Sequence, residues 1–126
     1  MLTESQTLEE YTDCIEDVKR YIRDHIHEPL DRERLAAVAG FSIPHFHRVF
    51  TTRAGESAAS YIRRLRMERA GRKLRMGAVD ITEVALAAGY ESHAAFSKAF
   101  KGQFGISPSE FRQLGCRAAT QLLRKG

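Results

Sequence analysis

Apolar side chains recur along this chain at helical spacing, and no stretch alternates apolar and polar positions as a strand does. The first apolar stripe consists of Leu8, Tyr11, Ile15, Val18 and Ile22, with charged residues between them. This stripe predicts a helix that ends near His27, before Pro29. Helical patterns continue beyond it, so we predict an all-α fold.

Helix start and stop signals divide the rest of the chain into six further helices, which makes seven in all. The six are predicted over residues 31–40, 42–53, 57–76, 80–89, 92–103 and 107–114. Five begin at a side chain that can accept a hydrogen bond from the first turn, namely Asp31, Ser42, Asp80, Ser92 and Ser107. Residues 115–126 extend the last helix or fray, and residues 76–79 are the best candidate for a joint.

One pattern occurs twice in the chain. Gly40, Phe46 and Phe50 in the first copy correspond to Gly89, Phe96 and Phe100 in the second. The glycines are 49 residues apart and the phenylalanines 50, which indicates one inserted residue near position 91. In each copy an alanine-rich helix meets a glycine turn and a second helix, as in a helix-turn-helix. We therefore predict two such subdomains, residues 1–56 and 77–126, joined by a long central helix over residues 57–76.

Periodicity separates the inner and outer faces of each second helix. Phe46, Val49 and Phe50 have i, i+3, i+4 spacing and are expected to point inward. The outer positions are Pro44, His47, Arg48 and Thr51 in the first unit and His93, Ala94, Ser97, Lys98 and Lys101 in the second. Arginine can donate two parallel hydrogen bonds to a guanine edge, whereas alanine can only touch a thymine methyl group. The second unit is therefore expected to discriminate between DNA base pairs less sharply than the first unit.

The predicted central helix is strongly basic. Its cationic residues are Arg63, Arg64, Arg66, Arg69, Arg72, Lys73 and Arg75, against Glu68. Twenty residues of helix span roughly 30 Å, close to the roughly 34 Å of one turn of B-DNA. The two helix-turn-helix units joined by this helix can thus meet successive major-groove segments of one DNA duplex. Arg63 and Arg66 are expected to contact the DNA backbone.

Charge is unevenly distributed over the 126 residues. Residues 1–35 hold ten acidic and five basic side chains, whereas the remaining 91 hold six and fifteen. A basic body suggests a polyanionic partner, although a basic surface also serves solubility. No apolar run is long enough to cross a bilayer, and the N-terminus lacks the features of a signal peptide, so we expect a cytoplasmic protein.

Catalytic and metal-binding patterns are not visible. No Ser/His/Asp set or phosphate-binding loop occurs, so we predict neither an enzyme nor a cofactor. The pairs His25/His27 and His45/His47 have i, i+2 spacing and do not face each other on a helix, so no metal site is expected. Cys14 and Cys116 form no redox motif and are expected to be reduced.

These residues resemble the AraC/XylS family of bacterial transcription regulators. In the second unit the resemblance lies in Ile81, Ala85, Gly89, Tyr90, Ser92, Phe96, Phe100, Lys101, Gly105, Ser107, Pro108, Phe111 and Arg112. In the first unit and central helix it lies in Leu35, Ala36, Gly40, Phe41, Ser42, Phe50, Gly55, Tyr61, Ile62, Arg66, Met67, Ala70 and Leu74. The match covers about residues 10–114.

The resemblance implies specific roles. The family's base-reading positions fall on Pro44, His47, Arg48, His93, Ala94, Ser97 and Lys98. Pro44 cannot read a base by hydrogen bonding, and Ala94 departs from polar readers. Contacts to the DNA backbone are expected from Ser42, Thr51, Arg63, Arg66, Ser92 and Lys101.

The resemblance also bears on partners and regulation. It implies double-stranded promoter DNA and RNA polymerase as partners. The chain is similar to the free-standing activators of the family, which bind DNA as monomers. Two alternatives stay open: a DNA-binding fragment of a longer ligand-responsive regulator, and a module that binds DNA nonspecifically while its acidic first helix docks a protein.

Overall fold

The computed structural model describes residues 4–76, 80–114 and 116–125. Within these ranges the chain forms eight helices and no strand. The helices are α1 (Glu4–Asp24), α2 (Arg32–Ala39), α3 (Ile43–Ala54), α4 (Ala58–Arg75), α5 (Ile81–Ala87), α6 (His93–Phe104), α7 (Pro108–Gln113) and α8 (Cys116–Lys125). The all-α prediction is confirmed. Of the predicted joint at residues 76–79, positions 77–79 lie outside the described residues.

The tail differs from both alternatives that the sequence left open. Leu114 has an extended backbone (φ −70°, ψ 151°), which ends α7 at Gln113. A separate helix, α8, then follows, so the chain has eight described helices where seven were predicted. Ala119 is fully buried, and Leu122 and Leu123 pack against the same core. This burial supports α8, because isolated helices of its length are marginal in water.

The chain divides into two compact units, Met1–Arg63 and Arg64–Gly126. The boundary lies within α4, so the long helix contributes residues to both units. None of the described helices is long and apolar enough to cross a membrane.

The core of the first unit is formed by the predicted inner faces. Ile15, Val18 and Ile22 line the buried side of α1, and Leu35 and Ala36 that of α2. The rest of this core is Ile26, Phe46, Val49, Phe50, Ala58, Tyr61 and Ile62. Side chains at helical spacing thus bury one face of each helix, which is the main source of stability for short helices.

Arg34 fixes the connection between α1 and α2. Its guanidinium donates to the Tyr21 hydroxyl (2.6 Å), to the Pro29 carbonyl (3.0 Å) and to a carboxylate oxygen of Glu28 (2.8 Å). It also lies over the Tyr21 ring, 5.3 Å from the centroid. The Arg34 hydrogen bond lowers the pKa of Glu28 from its ordinary value. The Arg34 side chain therefore links three residues around the connection into the first helix-turn-helix.

The core of the second unit lies around α6. Its buried members are Met67, Ala70, Leu74, Val84, Ala85, Ala88, Phe96, Phe100, Phe104, Phe111 and Ala119. Gly71 is also buried, and an added Cβ there would overlap Cδ2 of Leu123. The missing side chain at Gly71 therefore lets α8 lie directly against α4.

Candidate nucleic-acid interface

The turn between α2 and α3 is held by glycine and by backbone hydrogen bonds. Gly40 has a left-handed backbone (φ 76°), which side chains with a Cβ adopt at a cost. Its N–H donates to Ala37 O (3.2 Å), and the N–H of Phe41 donates to Ala36 O (3.0 Å). No atom lies within 4 Å of a Cβ built on Gly40, so glycine is needed there for its backbone conformation alone.

The turn between α5 and α6 repeats this arrangement with one more residue. Gly89 is also left-handed (φ 92°), and the N–H of Tyr90 donates to Ala85 O (3.0 Å). α6 then begins at His93, four residues beyond its glycine, whereas α3 begins at Ile43, three beyond Gly40. The predicted insertion near position 91 therefore lies in the turn, and the helices themselves keep the same register.

Serine caps start both second helices. The Ser42 hydroxyl oxygen accepts a hydrogen bond from His45 N (3.3 Å), and that of Ser92 accepts from Ala95 N (3.1 Å). The predicted caps Asp31, Asp80 and Ser107 are confirmed in the same way. In Ser42 and Ser92, both exposed, the hydroxyl hydrogen is left to donate outward.

The inner faces of α3 and α6 have nearly the same geometry. The rings of Phe46 and Phe50 have centroids 5.7 Å apart and planes inclined at 46°. The rings of Phe96 and Phe100 give 5.7 Å and 48°. All four side chains are buried. The repeated spacing in the sequence therefore corresponds to a repeated piece of packing.

The outer face of α3 carries most of the residues predicted for it. Pro44, His47 and Arg48 are exposed. Thr51 is only partly exposed, and its hydroxyl oxygen is buried without a hydrogen-bond partner among the described residues. Thr51 is thus less accessible than the outer-face prediction expected, and its assigned contact with the DNA backbone stays a prediction.

The outer face of α6 carries alanines among its polar residues. His93, Ala94, Lys98 and Lys101 are exposed, and Ser97 is partly exposed. Ala95 is exposed as well. Between His93 and Lys98 the helix thus presents two methyl groups and one hydroxyl group.

The arginines of α4 are not equivalent. Arg63 is exposed. Arg64 forms an ion pair with Glu68 (3.1 Å). Arg66 is partly buried, and its Nη1 lies 3.8 Å from the position that a Cβ on Gly89 would occupy. Arg66 therefore lies beside the turn of the second helix-turn-helix, a placement that helical periodicity alone could not reveal.

A groove beside Arg48 was not predicted from the sequence. The Tyr11 ring meets the rings of Phe41 and His45 edge-on, at centroid distances of 5.8 and 5.7 Å. Next to this cluster lies a cavity of about 300 Å³ lined by Tyr11, His45, Arg48, Val49, Thr52 and Arg53. Because Tyr11 belongs to α1, the first helix contributes to the immediate surroundings of the exposed Arg48.

The residues that could serve other chemistry are dispersed. Among residues 10–76 and the later described side chains, no group of three His, Cys, Asp or Glu side chains could hold a metal ion. Cys14 is a free thiol that donates to Ala39 O (3.4 Å). Burial, followed by the charge of Asp17, raises the pKa of this thiol. The side chain of Cys116 lies outside the described residues.

Comparison with known proteins decides the family. The family model described as a helix-turn-helix domain matches residues 35–114, which include both turns and α4. The chain belongs to the AraC/XylS family of transcription regulators. It carries the AraC-type helix-turn-helix DNA-binding domain of that family, and the resemblance predicted from the sequence is confirmed.

AraC/XylS relatives of two lengths match the chain. Regulatory protein SoxS of Escherichia coli is 34% identical over 98 residues, which cover 78% of this chain and 92% of SoxS. The uncharacterized regulator YbfP of Bacillus subtilis is 34% identical over 102 residues, covering 81% of this chain and 35% of YbfP. The right origin-binding protein of E. coli is 33% identical over 99 residues, or 34% of its length. The chain thus spans about a third of the latter two relatives.

Solved AraC-type domains share the fold. The DNA-binding domain of AdpA, in complex with a target DNA, has a TM-score of 0.71 and 29% identity, with 89% of this chain and 97% of that chain covered. A probable AraC family regulator from Rhodopseudomonas palustris has a TM-score of 0.73 and 28% identity, with coverage of 80% and 95%.

Proposed function

We propose that this chain is a sequence-specific DNA-binding transcription regulator in which α3 and α6 enter successive major-groove segments. The observation that carries the proposal is the pair of matched helices. Both are anchored by two buried phenylalanines whose rings pack against each other at a tilt, and both are capped by serine and present polar or small side chains to solvent. A major groove of about 12 Å admits an α-helix of this kind.

Arg48 is the strongest candidate for direct base reading. Its exposed guanidinium can donate two parallel hydrogen bonds to O6 and N7 of guanine. His47 is exposed beside it and can donate to a base acceptor. Pro44 supplies only apolar contact from the first turn of the helix. The first unit therefore reads through hydrogen bonds that a wrong base would leave unmade.

The second unit is proposed to read more weakly. Lys98 occupies the position equivalent to Arg48, but an ammonium group lacks the planar fork of a guanidinium. His93 and Ser97 can form single hydrogen bonds, and Ala94 can touch a thymine methyl group. Contacts with the DNA backbone are assigned to Ser42, Thr51, Arg63, Arg66, Ser92 and Lys101.

Activation is proposed on the family resemblance, which also implies RNA polymerase as the protein partner, binding to DNA as a monomer and action in the cytoplasm. DNA binding has the more direct support, since the solved AdpA domain of the same fold is in complex with a target DNA. The chemistry of the second helices agrees with that partner, because their exposed charged groups, Arg48, Arg53, Lys98 and Lys101, are basic.

Selection of bound fragments from a random duplex pool tests the proposal. The expected result is a consensus of two elements about ten base pairs apart, the more strongly specified one assigned to α3. A single short element would show that only one helix reads bases. Recovery of a pool without any consensus, and loss of every complex under excess random duplex, would instead identify a nonspecific DNA-binding module and overturn the proposal.

A further inference from the structure

A second basic site lies between α4 and α8. It is a cavity of about 310 Å³ lined by Glu68, Arg72, Arg75, Thr120, Leu123 and Arg124. On α4 its residues have i, i+4, i+7 spacing, and on α8 they have i, i+3, i+4 spacing, so two facing helical stripes form the walls. Three guanidinium groups and one carboxylate therefore line one small space.

The close approach of the two helices builds this site. Gly71 has no side chain, and Leu123 fills the space where a Cβ would lie. Arg72 follows Gly71 on α4, and Arg124 follows Leu123 on α8. The contact between Gly71 and Leu123 therefore brings these two cations to the same cavity. A larger residue at position 71 would require Leu123 to move and would widen the gap.

The charges in the cavity are unbalanced. Among the described residues of its lining, Glu68 is the only carboxylate, and it already pairs with Arg64 at 3.1 Å. Arg75 is held by a hydrogen bond from Nη1 to the Thr120 hydroxyl (2.8 Å), which is a neutral partner. Arg72 and Arg124 are exposed and have no ion-pair partner among the described residues. Three like charges around one space repel one another unless an anion lies between them.

We propose that this cavity binds a phosphate group, as inorganic phosphate or a small phosphomonoester. A phosphomonoester carries about −1.5 to −2 charge at neutral pH and presents three strong acceptor oxygens. Guanidinium groups match such oxygens with paired, charge-assisted hydrogen bonds. A single carboxylate would balance only one of the three arginines. The volume is about ten times the roughly 30 Å³ that a water molecule occupies in the liquid, so a phosphate with some of its hydration fits.

Thermal unfolding of the full chain tests the site in inorganic phosphate against sodium chloride of equal ionic strength. Phosphate also stabilises proteins generally by exclusion from their surface, so variants supply the comparison. The test variant is Arg72→Gln/Arg124→Gln, which leaves the bond between Arg75 and Thr120 intact. The matched control is Lys73→Gln, because Lys73 is an exposed cation of α4 that does not line the cavity.

We expect phosphate at tenfold excess over its Kd to raise the melting temperature of the parent and of Lys73→Gln by about 5 °C. The double variant should keep only the small general effect of phosphate. Equal increases in the melting temperature of all three proteins would show that free phosphate is not the ligand.

A second arm distinguishes a free phosphate from the phosphodiester of DNA. Duplex binding of the double variant is measured against that of Lys73→Gln over a range of salt concentrations. A salt slope flatter by about one to two in the double variant would identify DNA as the source of the phosphate. Equal duplex binding, together with equal thermal responses to phosphate, would overturn the proposal. The thermal arm contains no DNA, so its outcome is independent of whether the chain reads a promoter.

Discussion

α3 and α6 are alike on the inside and different on the outside. Both have twelve residues, both start at a serine cap and both end at a left-handed glycine. Their paired phenylalanine rings differ by only 2° in inclination. On the solvent side, however, α3 presents His47 and Arg48, whereas α6 presents Ala94 and Ala95 ahead of Lys98.

This difference shows how one fold can hold two readers of unequal sharpness. The buried face decides where the helix lies, because closely packed rings tolerate little change in volume. The exposed face decides which bases are read, because a bidentate hydrogen-bonded pair discriminates by about 1–3 kcal/mol. The two faces can therefore change independently.

The largest expected effect tests whether the buried faces of α3 and α6 are equivalent. Phe50→Ala and Phe100→Ala each remove a fully buried ring and should each lower the free energy of unfolding by about 3–5 kcal/mol. Urea denaturation followed by circular dichroism measures the loss. Leu86→Ala is the control, since Leu86 is 58% exposed and should change the free energy by less than about 0.5 kcal/mol. A cost near that of the control for either phenylalanine would break the equivalence.

The next effect tests the difference between the two exteriors. Arg48→Ala should weaken binding to the selected duplex by about 1–3 kcal/mol and relax the preference at one base pair. Lys98→Ala should cost less and change no single position sharply. Fluorescence anisotropy with singly substituted duplexes measures both, and Arg32→Ala on α2 serves as a control for loss of one exposed charge. If Arg48→Ala leaves affinity and base preference unchanged, α3 is not the sharper reader.

Removal of the serine caps should affect both helices alike. Ser42→Ala and Ser92→Ala each leave one first-turn N–H, at His45 and at Ala95, without its side-chain acceptor. The expected cost is about 1 kcal/mol in the free energy of unfolding for each. The conservative variants Ser42→Asp and Ser92→Asp should recover most of it in the same denaturation measurement. A cost confined to one helix would show that the two caps are not equivalent.

A change in α4 should favour neither reader. Arg63→Ala should weaken binding to specific and random duplexes by the same factor, and the slope of log affinity against log salt should flatten by about 0.9. Anisotropy titrations at several salt concentrations give both quantities. A selective loss on the specific duplex would mean that Arg63 reads a base.

The smallest effect concerns acid sensitivity in the first unit. Arg34 lowers the pKa of Glu28 in the folded chain. The pair therefore stabilises the folded state at pH values above the ordinary pKa of a glutamate carboxyl group. The contribution is lost as the pH falls through the lower, folded value. Glu28→Gln should therefore be slightly less stable than the parent at pH 7, and the difference should close at an acidic pH well below the ordinary carboxyl pKa. Urea denaturation at the two pH values measures it, and a difference unchanged by pH would contradict the assignment.

Much of the fold was predictable because its signals are local. The cap residues, the left-handed glycines and the phenylalanine spacing each act within one or two turns of the chain. α8 was not predicted, because its stability depends on Ala119 and Leu123 packing against residues that are distant in sequence. Helix formation in such a segment follows from tertiary burial, which a local pattern does not contain.

The candidate site was predictable to the level of helix faces. Periodicity separated Phe46 and Phe50 from Arg48, and the structure agrees. It was less accurate for Thr51, which lies on the border of the buried stripe and is only partly exposed. Periodicity also could not predict which residues a long side chain contacts, because the positions of the Arg34 and Arg66 guanidinium groups depend on torsion angles along four bonds.

The sealed hydroxyl of Thr51 has a consequence for engineering. A polar group buried without a hydrogen bond costs about 1–3 kcal/mol, and valine has nearly the same shape without that group. Replacing Thr51 with valine is therefore expected to raise the thermal stability of the protein. Because this change leaves His47 and Arg48 as they are, a more stable protein can keep the same base preference.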